Sequence, residues 1–288
     1  MTWKGLQFLK RALRFRRSNK APGRFLKRSF SNSVGTRAYK TYLPARYRGQ
    51  SLPLIVMLHG CKQTPDDFAE GTRMNELADQ LGFIVLYPAQ ARSANVSCCW
   101  NWFWPNSQQR ESGEPSLIAG ITRQVIARYH VDQNRVYVAG LSAGGAMAAI
   151  MGATYPDLYA AVGIHSGLPY ASARDAVSAL AAMSRGPRAG NAVTLPAVPT
   201  IVFHGDRDTT VHPSNGEYGI DAAQLQSETG KAGGRAYTRT VHRGRPTLEH
   251  WLVHGAGHAW SGGSAKAAYS DPAGPDATRE MLRFFAIA

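Results

Sequence analysis

RVYVAGLSAGGAMAAIM, residues 135 to 151, decides the reading of this chain: an apolar strand-like run enters Gly140-Leu141-Ser142-Ala143-Gly144 and leaves as a helix of small residues. A strand that turns straight into a helix holds the junction residue in a strained backbone conformation, so its neighbours must be small. Gly140, Gly144 and Gly145 supply that room. The Ser142 hydroxyl then stands clear of the sheet edge. The following helix points its N-terminus at it, which places the Ala143 N–H to stabilise charge on a reacting oxygen. A G-x-S-x-G pattern also occurs in plain turns; the strand before it and the helix after it favour a nucleophilic serine.

At 288 residues and 44% hydrophobic content the chain can bury one large core. Its formal net charge of +14 suggests nucleic acid until the distribution is followed. Residues 1 to 65 hold 15 of the 33 Lys and Arg and no acid, whereas the rest holds 18 bases against 19 acids. The body is neutral, which argues against a nucleic-acid partner, and any electrostatic partner meets the N-terminus. Residues 1 to 25 therefore read as a basic extension and 26 to 288 as one catalytic domain. Trp3, Leu6, Leu9 and Leu13 fall at helical spacing with Lys4, Arg11 and Arg14 opposite, although Lys10 and Arg17 encroach on the stripe. Residues 1 to 20 read as a solvated tail, as a contact for an anionic membrane, granule or acidic partner, or as an organelle-targeting segment. No run of 18 apolar residues is found, and the first 17 residues lack the apolar run and cleavage site of a secretory signal. Three cysteines, Cys61, Cys98 and Cys99, leave one thiol over if a bridge forms, and no C-x-x-C pair suggests zinc.

Residues 26 to 43 alternate around Val34-Gly35-Thr36, which predicts an antiparallel hairpin at the sheet's outer edge. LPLIVMLHG, residues 52 to 60, is continuously apolar, the pattern of a central strand covered on both faces. The loop after it begins at Cys61, whose N–H either supplies a second oxyanion donor or belongs to a plain turn; the first reading is preferred. One helix is expected over 66 to 81, with Phe68, Met74, Leu77 and Leu81 inward and Gly82 ending it. FIVLYP is the next strand. CCWNWFWP, residues 98 to 105, is too aromatic for an ordinary loop and either walls a pocket or plugs the core, the pocket being preferred. A helix is expected over 115 to 129, a core strand in AAVGIHSG (160 to 167), and an insertion or lid over 171 to 199. The final strand lies in LEHWLVHGAGHAWSGG (248 to 263), and PDATREMLRFF closes as a helix capped near Asp276.

PTIVFHGDRDTTV, residues 199 to 211, delivers Asp206 and Asp208 at a strand end, where open α/β sheets place their chemistry. Serine, then acid, then histidine is the chain order of α/β-hydrolase triads, which predicts a mostly parallel central sheet with helices on both faces. His258 is preferred as the base because Gly255 and Gly257 free its loop, whereas His254 still belongs to the strand. Asp208 is preferred as the acid because it lies further into its loop; Asp206 reads as a brace for the turn. His165 comes too early in the chain order and reads as a supporting or packing histidine.

LHGC, NELADQLGFIVLYPAQ, CWNWF, GEPSLIAG, GLSAGG, HGDRDTTV, GHAWSGG and GPDATREMLRFF together resemble the polyhydroxybutyrate (PHB) depolymerase esterases over roughly residues 22 to 286. These are α/β-hydrolases related to feruloyl and acetylxylan esterases. The resemblance implies Ser142 as nucleophile, Asp208 and His258 as its partners, and Cys61 beside Ala143 in the oxyanion hole. It also implies a Cys61–Cys99 disulfide with Cys98 free, and Trp100, Trp102 and Trp260 around the substrate. No cofactor or metal is expected. The family points outside the cell and the unread signal peptide points inside, and oligomeric state is not legible. Secreted polymer-degrading members carry a signal and a polymer-binding module; neither is read here. The expected activity is a serine esterase acting on short-chain 3-hydroxybutyrate-type oligomers, amorphous polyester or small acyl esters through an acyl-enzyme. A feruloyl or acetylxylan esterase is the alternative, and a non-catalytic granule- or surface-binding protein anchored through residues 1 to 28 is the alternative of another class.

Overall fold

The hairpin around Val34 forms as β1 (Arg24–Asn32) and β2 (Gly35–Leu43) in a computed structural model that describes residues 23–186, 197–217, 225–242, 244 and 246–288. The amphipathic stretch expected in residues 1 to 20, and 187 to 196 of the expected insertion, lie outside the described residues. β1 begins at Arg24, so the last two residues allotted to the extension already pair in the sheet. Then follow β3 (Leu52–Leu58), α1 (Pro65–Thr72), α2 (Met74–Leu81), β4 (Ile84–Pro88), α3 (Gly113–Arg128) and β5 (Val131–Leu141). The second half runs through α4 (Ala143–Thr154), β6 (Ala161–His165), α5 (Ala176–Arg185), β7 (Thr200–Gly205) and the hairpin β8 (Leu225–Ala232) and β9 (Arg235–His242). It ends with β10 (Leu248–Val253), the short pair β11 (Trp260–Ser261) and β12 (Ser270–Asp271), and α6 (Ala277–Phe284).

Ten strands make one sheet in the order β1-β2-β4-β3-β5-β6-β7-β10-β9-β8. The six from β4 to β10 in this order are mutually parallel, and the hairpins β1–β2 and β8–β9 flank them as antiparallel edges. The apolar runs are unbroken because both faces of the parallel strands are covered, and alternation sorts each run between two cores. Leu54, Val56 and Leu58 of β3 join Val136 and Val138 of β5 under α3 and α4. Ile55 and Met57 face the other way, with Tyr137 and Phe203, under α1, α2 and α6. Each such apolar side chain taken from water contributes about 1.5–3 kcal/mol before entropy is counted.

The single helix expected over 66 to 81 is two. Arg73 sits between them with φ 54°, and Leu81 lies exposed at the end of α2 instead of inward. The reason is lateral competition for carbonyls. The Gly71 carbonyl accepts the Ser264 N–H, and the Thr72 carbonyl accepts the Thr278 hydroxyl, so the ladder is captured by residues near the C-terminus. Arg73 turns out to pair with Asp276, whose other oxygen caps α6. The capping box of Thr64 and Asp67 starts α1.

Gly144 lies where α4 crosses β3, and a Cβ there would sit 2.0 Å from the Leu58 carbonyl oxygen and 2.6 Å from that of His59. Gly144→Ala should therefore destabilise the protein by more than about 3 kcal/mol in urea unfolding, because strand backbone cannot step aside. Gly257→Ala, whose Cβ meets nothing within 4 Å, should leave the midpoint nearly unchanged.

Candidate active site

Ser142 joins β5 to α4 with φ 57° and ψ −121°, a conformation that a side-chain-bearing residue holds only under constraint. The constraint is visible. The Ser142 N–H donates to the His165 carbonyl at 2.9 Å, and the Ser142 carbonyl accepts the Ala146 N–H at 2.9 Å as the first turn of α4 closes. Ala143 is the first helical residue, so its N–H has no carbonyl to meet within the helix.

β5, β7 and β10 end at the same edge of the sheet because they run parallel. That edge brings Asp208 and His258 together: His258 Nδ1–H donates to Asp208 Oδ2 at 2.7 Å. The proton on Nδ1 leaves Nε2 free to act as a base. Asp208 Oδ1 accepts the N–H groups of Thr210 and Val211, each at 2.9 Å. Burial alone would raise the Asp208 pKa, but the His204 imidazole 3.4 Å away and the hydrogen bond from His258 overrule it and hold the carboxyl well below its usual range. The structure draws the acid–histidine bond and no hydrogen bond between His258 and Ser142 Oγ; contacts of the second kind often tighten only around substrate.

A second pair lies outside the first. His254 Nδ1–H donates to Asp206 Oδ2 at 3.0 Å, and the Gly255 N–H donates to Asp206 Oδ1 at 2.7 Å. The His254 ring ends on the Thr238 hydroxyl, so Asp206 and His254 stitch the two loops that carry Asp208 and His258. The Arg207 N–H adds a bond to the Ala256 carbonyl at 3.0 Å.

His165 supports both sides of the site. Its carbonyl holds the elbow, and its Nε2 accepts the Ser261 N–H at 2.9 Å, three residues beyond His258. The ring stacks between Phe203 and Trp260.

The loop after β3 abuts the elbow: a Cβ on Gly60 would be 3.6 Å from Ser142 Cβ. The Gly60 carbonyl accepts His59 Nδ1–H at 2.8 Å and the Gln63 N–H at 3.3 Å. In a trans peptide N–H and C=O point in opposite directions, so this capture turns the Cys61 N–H the other way. Cys61 is bonded to Cys99 in a disulfide spanning 38 residues of sequence, and Cys98 is a free thiol. Glu114, which sequence reasoning missed, fixes the segment behind the bridge. Its buried carboxylate accepts the Asn101 N–H at 2.7 Å and the Asn101 side-chain amide at 2.8 Å, and it also bonds Gln90.

Trp100, Trp102 and Trp260 lie among core side chains. Trp100 and Trp260 are 0% and 1% exposed, and Trp260 stacks on His165 and meets Phe68 in a T-shaped contact. The CCWNWFWP stretch thus plugs the core with its first two tryptophans, contrary to the preference for a pocket wall, and leaves Trp104 at the surface. Among the described residues no group of three or more His, Cys, Asp or Glu is placed to hold a metal ion.

A family model described as Esterase PHB depolymerase matches residues 37–241. The chain is 34% identical over 230 residues to poly(3-hydroxyalkanoate) depolymerase C of Paucimonas lemoignei, covering 72% of this chain and 54% of that protein. It is 40% identical over 150 residues to feruloyl esterase B of Neurospora crassa, covering 52% and 50%. To a probable acetylxylan esterase A of Neosartorya fischeri it is 28% identical over 255 residues, covering 79% and 67%. The chain spans about half the length of the first two of these relatives. Among solved structures, an acetyl xylan esterase from Aspergillus awamori superposes with a TM-score of 0.73 at 20% identity, over 92% of this chain and 100% of that one. That likeness shows the α/β-hydrolase fold.

Burial pushes the His165 pKa down to about 3 and that of His250 down to about 4, with neighbouring imidazoles adding to both, and lowers that of His59. Below about pH 6.5 the unfolded chain takes up protons that these folded imidazoles refuse. Stability is therefore full above that pH and is lost as pH falls toward the folded values. Urea unfolding should show His165 and His250 each costing about 2 kcal/mol by pH 5, whereas the contribution of Asp208 is lost only below about pH 4. Equal stability at pH 7 and pH 5 would contradict this.

Proposed function

The chain belongs to the PHB depolymerase esterase family, and on that premise we propose that it is a serine esterase with Ser142 as nucleophile, His258 as base and Asp208 as the acid that orients it. The observation that carries the reading is the 2.7 Å hydrogen bond between His258 and Asp208 at the sheet edge where Ser142 stands. His258 Nε2 takes the Ser142 proton as Oγ attacks the ester carbonyl. The N–H groups of Ala143 and Cys61 receive the developing oxyanion, in a site where fixed dipoles replace water. His258 then returns the proton to the departing alcohol, and water repeats the sequence on the acyl-enzyme. Asp208 stays ionised throughout, as its depressed pKa requires.

The substrates proposed are hydroxyalkanoate oligomers, amorphous polyester or small acyl esters. The relative named a poly(3-hydroxyalkanoate) depolymerase supports this, since it aligns over 72% of this chain. A feruloyl or acetylxylan esterase is a second reading, favoured by the 40% identity to a feruloyl esterase over a shorter stretch. Comparing kcat/KM on 3-hydroxybutyrate oligomers and on methyl ferulate separates them: the oligomers should be preferred by about tenfold or more, the ratio that differing pocket contacts commonly supply.

Ser142→Ala should lower kcat by about 10⁴-fold or more while leaving the unfolding midpoint unchanged, and His258→Ala should do the same. His254→Ala should keep most activity, because its ring stitches loops and touches no reacting atom. A steady-state assay on a soluble p-nitrophenyl ester reads all three; equal losses at both histidines would mean that the base is misassigned.

A further inference from the structure

Asp208 carries a second imidazole that the relay does not need. His204, on β7, places Nε2 3.4 Å from Asp208 Oδ2, the oxygen that also accepts from His258. The same Nε2–H donates to the Val211 carbonyl at 2.9 Å. Both neighbours of Nε2 are acceptors, so the ring proton belongs there and Nδ1 is bare. Val211 in turn gives its N–H to Asp208 Oδ1. His204 therefore grips the acid turn at both of its ends: the carboxylate, and the residue that solvates the carboxylate.

The far side of the ring argues that this grip is the reason for a histidine here. His204 Nδ1 is buried without a partner, and so is Nε2 of His250 on β10. The two nitrogens converge, for a Cβ built on Gly216 would lie 3.1 Å from the first and 2.9 Å from the second. An unpartnered buried nitrogen costs stability that an apolar ring of the same size would not. Among the described residues, the titratable groups that act on His204 are Asp208 from the loop after β7, His250 from β10 and His165 from β6; His258 meets it through the shared Asp208 oxygen. His165 and His250 stay neutral through burial.

We propose that His204 is a positioning residue, whose Nε2–H, shared between Asp208 Oδ2 and the Val211 carbonyl, fixes the carboxylate that presents His258 to Ser142. Without His204, Oδ2 would be held by His258 alone while only Oδ1 stayed on the Thr210 and Val211 N–H groups, so the oxygen that aims the imidazole could swing with it. A donor on Oδ2 also draws off charge that would otherwise act on His258 alone.

This inference rests on the catalytic reading of Asp208 and His258, and the two fail differently. Activity surviving in His258→Ala would remove the reading and leave the His204 contacts as they are. For His204, kcat and KM are measured on a soluble p-nitrophenyl ester from about pH 5 to about pH 9, the span in which imidazoles titrate. His204→Phe should lower kcat about tenfold or more with little change in KM, as expected of a misaimed base. Its acidic limb of kcat/KM should move to higher pH by about half a unit, because an Asp208 that loses a donor interacts more strongly with a protonated partner. His204→Gln, which keeps an N–H donor, should restore most of both. A His204→Phe enzyme with the wild-type kcat and limb, or a Gln variant no better than Phe, overturns the proposal. Nitrogen NMR of the histidine-labelled wild-type protein at about pH 8 reads the ring without any variant. The Nε2–H tautomer is expected at His204, and the Nδ1–H tautomer overturns the proposal even if the substituted chains do not fold.

Discussion

The hydrogen bond from the Ser142 N–H to the His165 carbonyl fixes the elbow to the neighbouring strand, and the rest of the site is measured from it. The same histidine receives the Ser261 N–H on its ring, so the residue that sets the elbow also sets the loop leaving His258. Its ring lies in a run of stacked aromatics: Trp251 on Phe203, Phe203 on His165, His165 on Trp260, with Phe68 perpendicular to Trp260 at the end. Such pairs each add about 0.5–1.5 kcal/mol beyond their buried area. The run crosses β10, β7 and β6 and reaches α1, so the three strand ends beneath the site are locked in register by packing as well as by their ladder.

The two acid–histidine pairs divide the work by exposure. Asp206 and His254 lie at the surface, where an ion pair contributes little on its own. Their value is geometric, since Asp206 also holds the Gly255 N–H and so ties one loop to the other. Asp208 and His258 lie behind them, with Asp208 shielded and fully hydrogen-bonded. The carboxylate inside keeps its charge because donors surround it, while His165 and His250 nearby stay neutral through burial.

On the other side of the elbow, the loop after β3 is held by covalent and polar means. The disulfide ties Cys61 to the segment that carries the tryptophan plug, while His59 and Gln63 hold the Gly60 carbonyl. Glu114 secures the plug from behind through Asn101 and Gln90. Strain at Ser142 is tolerated because each neighbouring element is fixed by a different interaction.

The sequence by itself determined the elements whose cause is local. The elbow is written in three glycines around Ser142, the parallel strands in unbroken apolar runs, the edge hairpin in alternation about a turn, and the paired loops in Asp206, Asp208, His254 and His258 standing just past strand ends. Only the tertiary structure decided what depends on partners far along the chain. The helix break at Arg73 follows from carbonyls captured by Ser264 and Thr278, about two hundred residues away. The hairpin β8–β9 has strands too polar to announce themselves, and it exists because β10 offers an edge to pair with. The tryptophans of CCWNWFWP went inward, and His204 and Glu114 acquired their partners, through contacts that no spacing encodes. Periodicity records which side of an element is covered; it does not record which backbone group or ring does the covering, because that is fixed only when distant segments meet.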